Sequence, residues 1–365
     1  MTESIDCDVL IAGAGPTGMS AALALHDAGY KVQIIDKHES GLSFSRAILV
    51  NSGTLRLLKP YGVTDKIMAQ GRAITSLTIN GPGGPIISGA VTADDRADVH
   101  PTALPQLDTE KCFQQSLAER GIVISRPSSL KLFTQKAGFV ESVIESNFNY
   151  HTVRSHYLLG ADGFHSAVRK GLEIDNHQSP QPLMMYSQDA IIDWSGRSDV
   201  VIWIMPAGAV IAMKCGDRTV RFAATNKAAF DALGFSSHIE QTTWESVFEV
   251  YFAQVDTYGK DRVWLAGDAA HVHSPVGGRG MNMGIADGVR FAQAVKDADF
   301  SAYARDRHSV SEAWVKQNRI FTELMSNQTI KGVAARLCVR TAFRMFSMID
   351  PKHAAQRVFA TIALG

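Results

Sequence analysis

The sequence predicts an α/β fold: a Rossmann-like nucleotide-binding domain, discontinuous in sequence, with a mainly β-sheet layer and C-terminal helices. Three observations lead to this prediction. A continuous apolar run, Val9 to Ala12, is followed at once by the glycine-rich turn GAGPTG, as in a central parallel strand that feeds a phosphate-binding turn. Between 244 and 252, apolar and polar residues alternate, which is typical of a strand with one buried face. After Phe300 the apolar residues recur at helical spacing.

The composition is that of a globular protein with one large domain or two. Lys plus Arg and Asp plus Glu number 36 each, so no net charge favours nucleic acid or an anionic membrane. The cysteines are scattered, without a CxxC pair or metal-ligand spacing, which favours reduced thiols: Cys7, Cys112, Cys215 and Cys338. The opening MTESIDCDVLIAG has no basic region, and its apolar run is too short for a signal peptide. We therefore expect a soluble, cytoplasmic protein with no membrane span and no metal site.

The N-terminal stretch has the order of a dinucleotide-binding βαβ unit. In GAGPTG, Gly13 allows the tight turn, Gly15 lets the backbone approach a pyrophosphate, and Gly18 lets helix and strand pack closely. A second strand, Lys31 to Ile35, ends in Asp36, eighteen residues after Gly18. This is close to the spacing of about 20 expected for an acid that binds a ribose hydroxyl. The complete pattern predicts a nucleotide site.

Several features follow before the middle of the chain. Arg46 is either a surface cation or a ligand for phosphate or ring-edge atoms. The stretch from Ala73 to Val91 turns through Gly-Pro-Gly-Gly and predicts a hairpin outside the nucleotide-binding sheet, whereas Gln106 to Arg120 has helical spacing. Tyr157 to Arg169 places Asp162 after a strand and before a helix start, which favours a ligand loop over a simple turn.

The segment from Arg262 to Val295 is the most informative about a ligand site. Val263 to Ala266 predicts a strand, and Gly267-Asp268 puts a carboxylate at its end. A glycine-rich turn follows, and a helix begins near Met281. A strand, a carboxylate, a glycine turn and a helix start suit a ligand that carries hydroxyls and an electron-rich end.

The C-terminal helix has two candidate faces. One is largely apolar and predicts packing against the protein: Ala334, Leu337, Cys338, Thr341, Met345, Phe346 and Ile349. Arg336, Arg340 and Arg344 form a basic row. We expect the basic row to be solvated; a helix lying on a membrane surface is the alternative.

Three motifs, in order, resemble those of the single-component FAD-dependent aromatic hydroxylases, the group A flavoprotein monooxygenases of the para-hydroxybenzoate hydroxylase type. They are GAGPTG with Asp36, GADGFHSAVR, and RVWLAGDAAHVHSPVGGRGMN. Shorter pieces agree: SRA at 45–47, PQLDTE at 105–110, and FSAYARDRH at 300–308. The resemblance covers nearly the whole chain.

The resemblance implies a Rossmann-like FAD-binding domain and names its contacts. In the family, Asp268 bonds the ribityl hydroxyls, and Gly280 to Asn282 present backbone donors to the pyrimidine end of the flavin. Asp36 stands where glutamate is commoner. The cofactor-binding residues implied are Gly13, Gly15, Pro16, Thr17, Gly18, Asp36, Lys37, Arg46, Gln106, Asp162, Gly267, Asp268, Pro275, Gly278, Gly280, Met281 and Asn282.

The activity implied is aromatic hydroxylation through a flavin C4a-hydroperoxide, formed after reduction by NADPH or NADH and reaction with O2. Only one GxGxxG has a strand–helix context, so no separate NAD(P)H domain is expected. The substrate expected is a phenolic or other electron-rich (hetero)aromatic. The candidate lining residues, each of which also suits an ordinary core, are Tyr186, Trp203, Met205, Met213 and Phe222. No catalytic base is identified, and epoxidation or ring opening stays open.

The predicted domains interleave. Residues 1–72, 102–178 and 259–325 form the FAD-binding domain, 73–101 and 179–258 the β-sheet substrate domain, and 326–365 a helical tail. Two other functions remain possible. A flavin-dependent halogenase is one, since Trp203-Ile204-Met205-Pro206 faintly resembles the halogenase W-x-I-P element. An FAD-binding redox module without oxygenase activity is the other. The sequence leaves the oligomeric state open.

Overall fold

The computed structural model describes residues 4–40, 47–91, 99–179, 182–326, 329–350 and 353–360. Its helices are α1 (Pro16–Asp27), α2 (Ser52–Leu58), α3 (Val63–Gln70), α4 (Gln106–Ala118), α5 (Ala167–Gly171), α6 (Lys227–Asp231), α7 (Gly280–Asp297), α8 (Phe300–Ser326), α9 (Ile330–Ile349) and α10 (Ala354–Phe359). Its strands are β1 (Cys7–Ala12), β2 (Val32–Ile35), β3 (Leu49–Val50), β4 (Arg72–Ala73), β5 (Ser76–Gly81), β6 (Gly84–Ala90), β7 (Thr102–Ala103), β8 (Ile124–Ser125), β9 (Ser128–Gln135), β10 (Val140–Ser146), β11 (Asn149–Gly160), β12 (Leu183–Ile192), β13 (Val200–Met205), β14 (Gly208–Lys214), β15 (Thr219–Ala224), β16 (Ile239–Val250), β17 (Ala253–Gln254), β18 (Gly259–Lys260), β19 (Val263–Leu265) and β20 (His271–Val272).

The first sheet has the order β18-β19-β11-β1-β2-β8, and β9 and β10 extend it from β11. The pairs β19–β11, β11–β1, β1–β2 and β2–β8 are parallel. Val9, Leu10 and Ile11 are fully buried, as expected for a parallel strand covered on both faces. The carboxyl ends align, because Ala12 is in register with Gly160 and Gly160 with Leu265. Three loops therefore begin side by side at one edge of this sheet.

Helices α1 and α7 cross closely beside that edge because glycines of α7 face α1. A Cβ on Gly284 would lie 2.3 Å from Thr17 Oγ1, and one on Gly288 would lie 2.4 Å from the Thr17 carbonyl oxygen. The Ser20 hydroxyl bridges the crossing, with Thr17 O at 2.8 Å and Ile285 O at 3.2 Å. This crossing fixes the start of α7 relative to the start of α1.

The second sheet has the order β16-β12-β15-β14-β13-β5-β6 and is antiparallel except for the β13–β5 pair. All its strands fall within 73–101 and 179–258, the segments predicted for the substrate domain. One face packs in a cluster with Trp194 and with Phe230 of α6. The other face packs in a cluster with α10 and with Met325 of α8. Both faces are covered, so apolar residues occupy both sets of alternating positions.

Helix α9 packs differently from the sequence expectation. Arg336 is buried and donates to the carbonyl oxygens of Leu324, Met325 and Pro206 at 3.1, 3.1 and 2.6 Å. Leu337, by contrast, is 53% exposed, and Met345 and Ile349 are exposed too. Ala334, Cys338 and Thr341 are exposed as well, so the predicted packing of this face was wrong at every position except Phe346, and the expected solvation was wrong for Arg336. A cation is stabilised by the carbonyls at the end of α8, which helical periodicity does not reveal.

Along the described part of the chain, no helix combines the length and hydropathy of a bilayer-crossing segment.

Candidate functional site

The glycine turn after β1 forms a cradle at the N-terminus of α1. Gly13 has a φ of +105°, and a Cβ there would lie 2.1 Å from the Ala161 carbonyl oxygen. At Gly15, in contrast, no atom of the described residues lies within 4 Å of the Cβ position. Gly15 caps α1 without a side-chain hydrogen bond, and the first turn holds no acidic residue. The open space at Gly15 and the unsatisfied helix amides fit a dinucleotide pyrophosphate, as FAD would supply.

Asp36 closes the cradle from the end of β2. Its Oδ2 accepts from the Ala14 amide and its Oδ1 from the His38 amide, both at 2.8 Å. A carboxylate oxygen can accept more than one bond, so the side chain retains acceptor capacity for a ribose hydroxyl. Lys37 is exposed beside it, whereas Pro16 and Thr17 belong to the first turn of α1.

Gln106 ties the start of α4 to the segment that follows the predicted ligand Arg46. Its amide N–H donates to Ala47 O at 2.9 Å, and its side-chain Nε2 donates to Glu110 at 2.9 Å. Glu110 is buried, and this burial raises its pKa, which the Gln106 hydrogen bond partly offsets. Arg46 itself lies outside the described residues.

The second loop, after β11, carries Asp162. Burial raises the pKa of this carboxyl group although its Oδ2 accepts from the amides of Ala167 and Val168, at 2.7 and 3.3 Å. Its Oδ1 is buried and has no hydrogen-bond partner among the residues that the structure describes. Arg169 donates to Ala269 O at 3.0 Å and so joins this loop to the third one.

The third loop holds the Gly267-Asp268 pair. Gly267 has a φ of +62°, and its amide donates to Asp287 Oδ2 at 2.8 Å. The same carboxylate, 0% exposed, also bonds His271 Nε2 at 2.7 Å and Arg307 Nε at 2.5 Å. Burial alone would raise the pKa of Asp287, but His271 and Arg307 hold it below its ordinary value. These hydrogen bonds fix the loop on its buried side, and the Asp268 side chain is exposed on the other side.

The glycine loop Pro275–Gly278 leads from β20 to the N-terminus of α7. The Asn282 side chain holds this loop, because its Nδ2 donates to Gly278 O at 2.7 Å and to Leu49 O at 2.8 Å. Its Oδ1 accepts from the Asn51 amide at 3.0 Å. Neither a side-chain cap nor an acidic residue occupies the first turn of α7. The backbone amides of Gly280 and Met281 can therefore meet an electron-rich ligand edge.

A cluster that the sequence did not predict lies at the same helix start. His273 Nδ1 lies 2.8 Å from Ser274 O, and burial lowers the pKa of His273 to about 4, so the ring is neutral near pH 7. Its ring packs edge-on against Trp314 at 5.9 Å. The Arg279 guanidinium lies 3.7 Å from the centroid of the Trp314 ring. The only feature of the sequence that could have indicated this cluster is His273-Ser274-Pro275, which follows the predicted ligand Asp268.

An apolar cavity of about 620 Å³, including its open mouth, lies between the second sheet, the loop before α7 and the C-terminal helices. It is lined by Ile79, Met185, Ile202, Ile204, Ala209, Ile211, Ala223, Thr225, Pro275, Val276, Phe321, Met325 and Phe343. Pro275 and Val276 belong to the loop that leads to α7. Phe343 comes from the segment predicted as a tail, which is therefore part of the cavity wall.

The five predicted substrate residues do not line this cavity. Tyr186 and Phe222 lie in the core on the opposite face of the second sheet, and Trp203 and Met205 pack against that core. Met213 packs on the cavity side but away from the lining. The cavity is lined instead by residues next to these in the strands, whose side chains point to the other face, such as Met185, Ile202 and Ala223. Successive strand residues point to opposite faces, and the sequence does not show which face holds the cavity.

Comparison with known proteins agrees with this geometry. The family described as FAD binding domain matches residues 6–228 and 202–318. The chain is 28% identical over 353 residues to 6-methylpretetramide 4-monooxygenase of Streptomyces rimosus, covering 87% of this chain and 62% of the relative. It is also 28% identical over 308 residues to rifampicin monooxygenase of Rhodococcus hoagii, covering 77% and 62%. The chain thus spans about three-fifths of the length of these relatives.

Solved structures share the fold. The p-nitrophenol 4-monooxygenase PnpA from Pseudomonas putida DLL-E4 superposes with a TM-score of 0.83 at 19% identity, covering 99% of this chain and 98% of PnpA. The flavin-dependent monooxygenase PieE, solved with FAD and substrate, gives 0.75 at 21% identity, covering 97% and 73%. The predicted fold class and the family resemblance are confirmed. With its glycine cradle, its two carboxylate loops and a family match over most of its length, the chain belongs to the FAD-binding domain family.

Proposed function

We propose that this protein is an FAD-dependent monooxygenase. It uses NADPH or NADH and O2 to hydroxylate a phenolic or other electron-rich aromatic compound held in the apolar cavity. The observation that carries the proposal is the shared loop: Pro275 and Val276 line the cavity, and the same loop ends at the N-terminus of α7. A substrate in the cavity therefore lies beside the N-terminus of α7, where we propose that the flavin ring binds.

The three loops at the carboxyl edge of the first sheet and the start of α7 offer contacts for four parts of FAD. The amides at Gly15 and the start of α1 suit the pyrophosphate, and Asp36 suits the adenosine ribose. Asp268 suits the ribityl hydroxyls, and the amides at Gly280 and Met281 suit the pyrimidine end of the ring. When bound and reduced, FAD supplies the activation of O2 for insertion into an aromatic carbon.

The protein's own contribution is to hold the ring and to exclude water. Apolar side chains such as Ile202, Ile211 and Phe343 surround the cavity. Burial of an aromatic ring among them removes water and fixes its orientation. No acid–base pair is assigned, since oxygen transfer to an electron-rich ring depends first on position.

The relatives support the reaction class. Both curated relatives above are named monooxygenases, and PieE was solved with FAD and substrate. We also propose a cytoplasmic location, because the reaction would consume NADPH or NADH. The free cysteines Cys7, Cys112, Cys215 and Cys338 suit that compartment.

The test is purification of the protein and measurement of flavin absorbance, NADPH or NADH oxidation, and oxygenated product from a panel of phenols. We expect bound FAD, oxidation accelerated by a phenol, and a hydroxylated product. Ala223→Phe should fill the cavity, so that FAD binding survives while the acceleration by phenols is lost. A purified protein without flavin would contradict the proposal.

Two outcomes would favour the alternatives. Slow oxidation that no aromatic accelerates, without product, would indicate a redox module. A product that depends on chloride would indicate a halogenase. The geometry does not favour a halogenase, because Trp203 packs edge-on against Trp194 at 6.4 Å, beside the core on the face of the sheet opposite the cavity.

A further inference from the structure

We infer that the cavity selects uncharged, hydrophobic aromatic compounds and discriminates against ring carboxylates. The inference rests on the proposed function, since it names the substrate class of the same site. It concerns charge, which the reaction class does not determine: a hydroxylase can be built around an anionic ring or a neutral one.

The lining of the cavity is the first observation. Among the described residues that form it, twelve have apolar side chains, and Thr225 carries the single polar one. No described side chain of the lining bears a charge. The interior therefore offers a ring many dispersion contacts and offers a carboxylate no ion pair.

Thr225 does not alter this balance. Its Oγ1 already accepts hydrogen bonds from the Ala209 amide at 3.1 Å and from Asn226 Nδ2 at 3.4 Å. A hydroxyl has two acceptor positions and one proton to donate. Thr225 can therefore donate at most one hydrogen bond, to a neutral oxygen such as that of a phenol or ketone. One neutral donor does not compensate a buried carboxylate.

Two buried arginines on segments that border the cavity are engaged elsewhere. Arg336 lies behind Met325, but its guanidinium donates to three backbone carbonyls, those of Leu324, Met325 and Pro206. Arg279 lies over the Trp314 ring. Neither side chain lines the cavity. An anionic substrate would have to displace these contacts to pair with either arginine.

The energetic consequence is large enough to measure. Transfer of an unpaired carboxylate from water into an apolar site costs enough to weaken binding by at least about 100-fold relative to a neutral analogue of the same ring. Methyl 4-hydroxybenzoate and 4-hydroxybenzoate form such a pair, because they share the phenol ring and differ in charge at neutral pH.

The experiment titrates the FAD-loaded protein with each compound and follows the change in flavin absorbance or fluorescence at pH 7.5. We expect the ester to bind at least about 100-fold more tightly than the acid. As the pH falls toward the pKa of the benzoate carboxyl group, the affinity for the acid should rise while that for the ester stays constant. This second measurement needs no variant protein.

A gain of charge gives the reciprocal test. Phe343→Arg puts a cation in the cavity wall and should reduce the preference for the ester by at least about tenfold. Met345→Arg is the matched control, because Met345 is 59% exposed on the same helix and lies outside the cavity lining. This control should keep the wild-type ratio.

Equal affinity of wild type for both compounds, or tighter binding of the acid, would overturn the inference. Failure of phenol, 2-naphthol and the ester all to bind would overturn it as well. These results are distinct from failure of the proposed function. Oxygenated product from carboxylates alone would support the proposed function and contradict the inference. Tight binding of the ester without product from any compound would support the inference and contradict the proposed function.

Discussion

At the carboxyl edge of the first sheet, the groups that would meet a ligand are mainly backbone amides, a glycine Cα and carboxylates, whereas in the cavity they are apolar side chains. The space at Gly15 stays open because no Cβ is present there. The cavity keeps its shape because Ile202, Ile211 and Phe343 fill its walls. The half that would bind the cofactor depends on the absence of side chains at its glycines. The half that would bind the substrate depends on the side chains that line the cavity.

This difference has a consequence for how each half tolerates change. Backbone sites require glycine at fixed positions and a rigid loop, so single substitutions should act steeply. Side-chain cavities tolerate exchange of one apolar group for another of similar volume. The cofactor half should therefore be the more sensitive one, and four predictions test that expectation.

The largest effect is expected at Asp287, which holds the Gly267 turn. Asp287→Ala would leave Arg307 and His271 buried without their carboxylate, and breaking a buried ion pair costs about 3–5 kcal/mol. We expect a loss of that size in the free energy of unfolding, measured by denaturant titration, together with weaker FAD binding. Asp297→Ala, at the exposed end of the same helix, is the control. Equal small losses in both variants would contradict the role of Asp287.

The next effect is expected at Gly13. In Gly13→Ala, the new Cβ would overlap the Ala161 carbonyl oxygen, and the φ of +105° is itself unfavourable for alanine. We expect a loss of about 3 kcal/mol or more in stability and a corresponding loss of FAD affinity.

Gly29→Ala is the matched control for Gly13→Ala. Gly29 has a φ of +90° after the end of α1, but within the described part of the chain no atom lies within 4 Å of its Cβ position. Only the conformational cost of about 1–2 kcal/mol should appear, with FAD affinity unchanged. If both variants lose FAD equally, the close approach of Gly13 to Ala161 is not what shapes the cradle.

A smaller effect should separate the two faces of the second sheet. Val210 lies in the core on the far face, and Ile211, the next residue of β14, lines the cavity. Val210→Ala should lower stability by about 2 kcal/mol without changing the affinity for an aromatic ligand. Ile211→Ala should weaken that affinity about tenfold. A reversed pattern would mean that the ligand binds on the other face.

The two halves also differ in how far the sequence predicted them. Gly13, Asp36 and Asp268 could be placed because glycine spacing and strand-end carboxylates have fixed meanings in a parallel sheet. The buried network at Asp287 was not predicted, since its partners come from separate elements. Tyr186 and Trp203 were candidates for lining the substrate site, yet Tyr186 lies in the core on the opposite face of the second sheet and Trp203 packs against that core. Alternation gives two faces but not their identities when both are covered.

Where the halves meet, His273 provides the last and smallest test. Burial lowers its pKa from 6.5 to about 4. The unfolded chain therefore binds a proton below pH 6.5 that the folded protein does not take up until about pH 4. This histidine's contribution to stability is complete above pH 6.5 and is lost progressively as the pH falls toward 4. Between pH 7 and 5.5 the expected loss is about 1 kcal/mol.

His273→Gln removes this titration while keeping a polar side chain of similar reach. Wild type and variant should differ by a constant amount in unfolding free energy above pH 7, and the difference should shrink by about 1 kcal/mol at pH 5.5. Denaturant titrations of both proteins at the two pH values measure this. A difference that does not change with pH would mean that the His273 ring is solvated in the folded protein. Water would then reach the region between the start of α7 and the cavity, whereas the proposed reaction requires that water be excluded there.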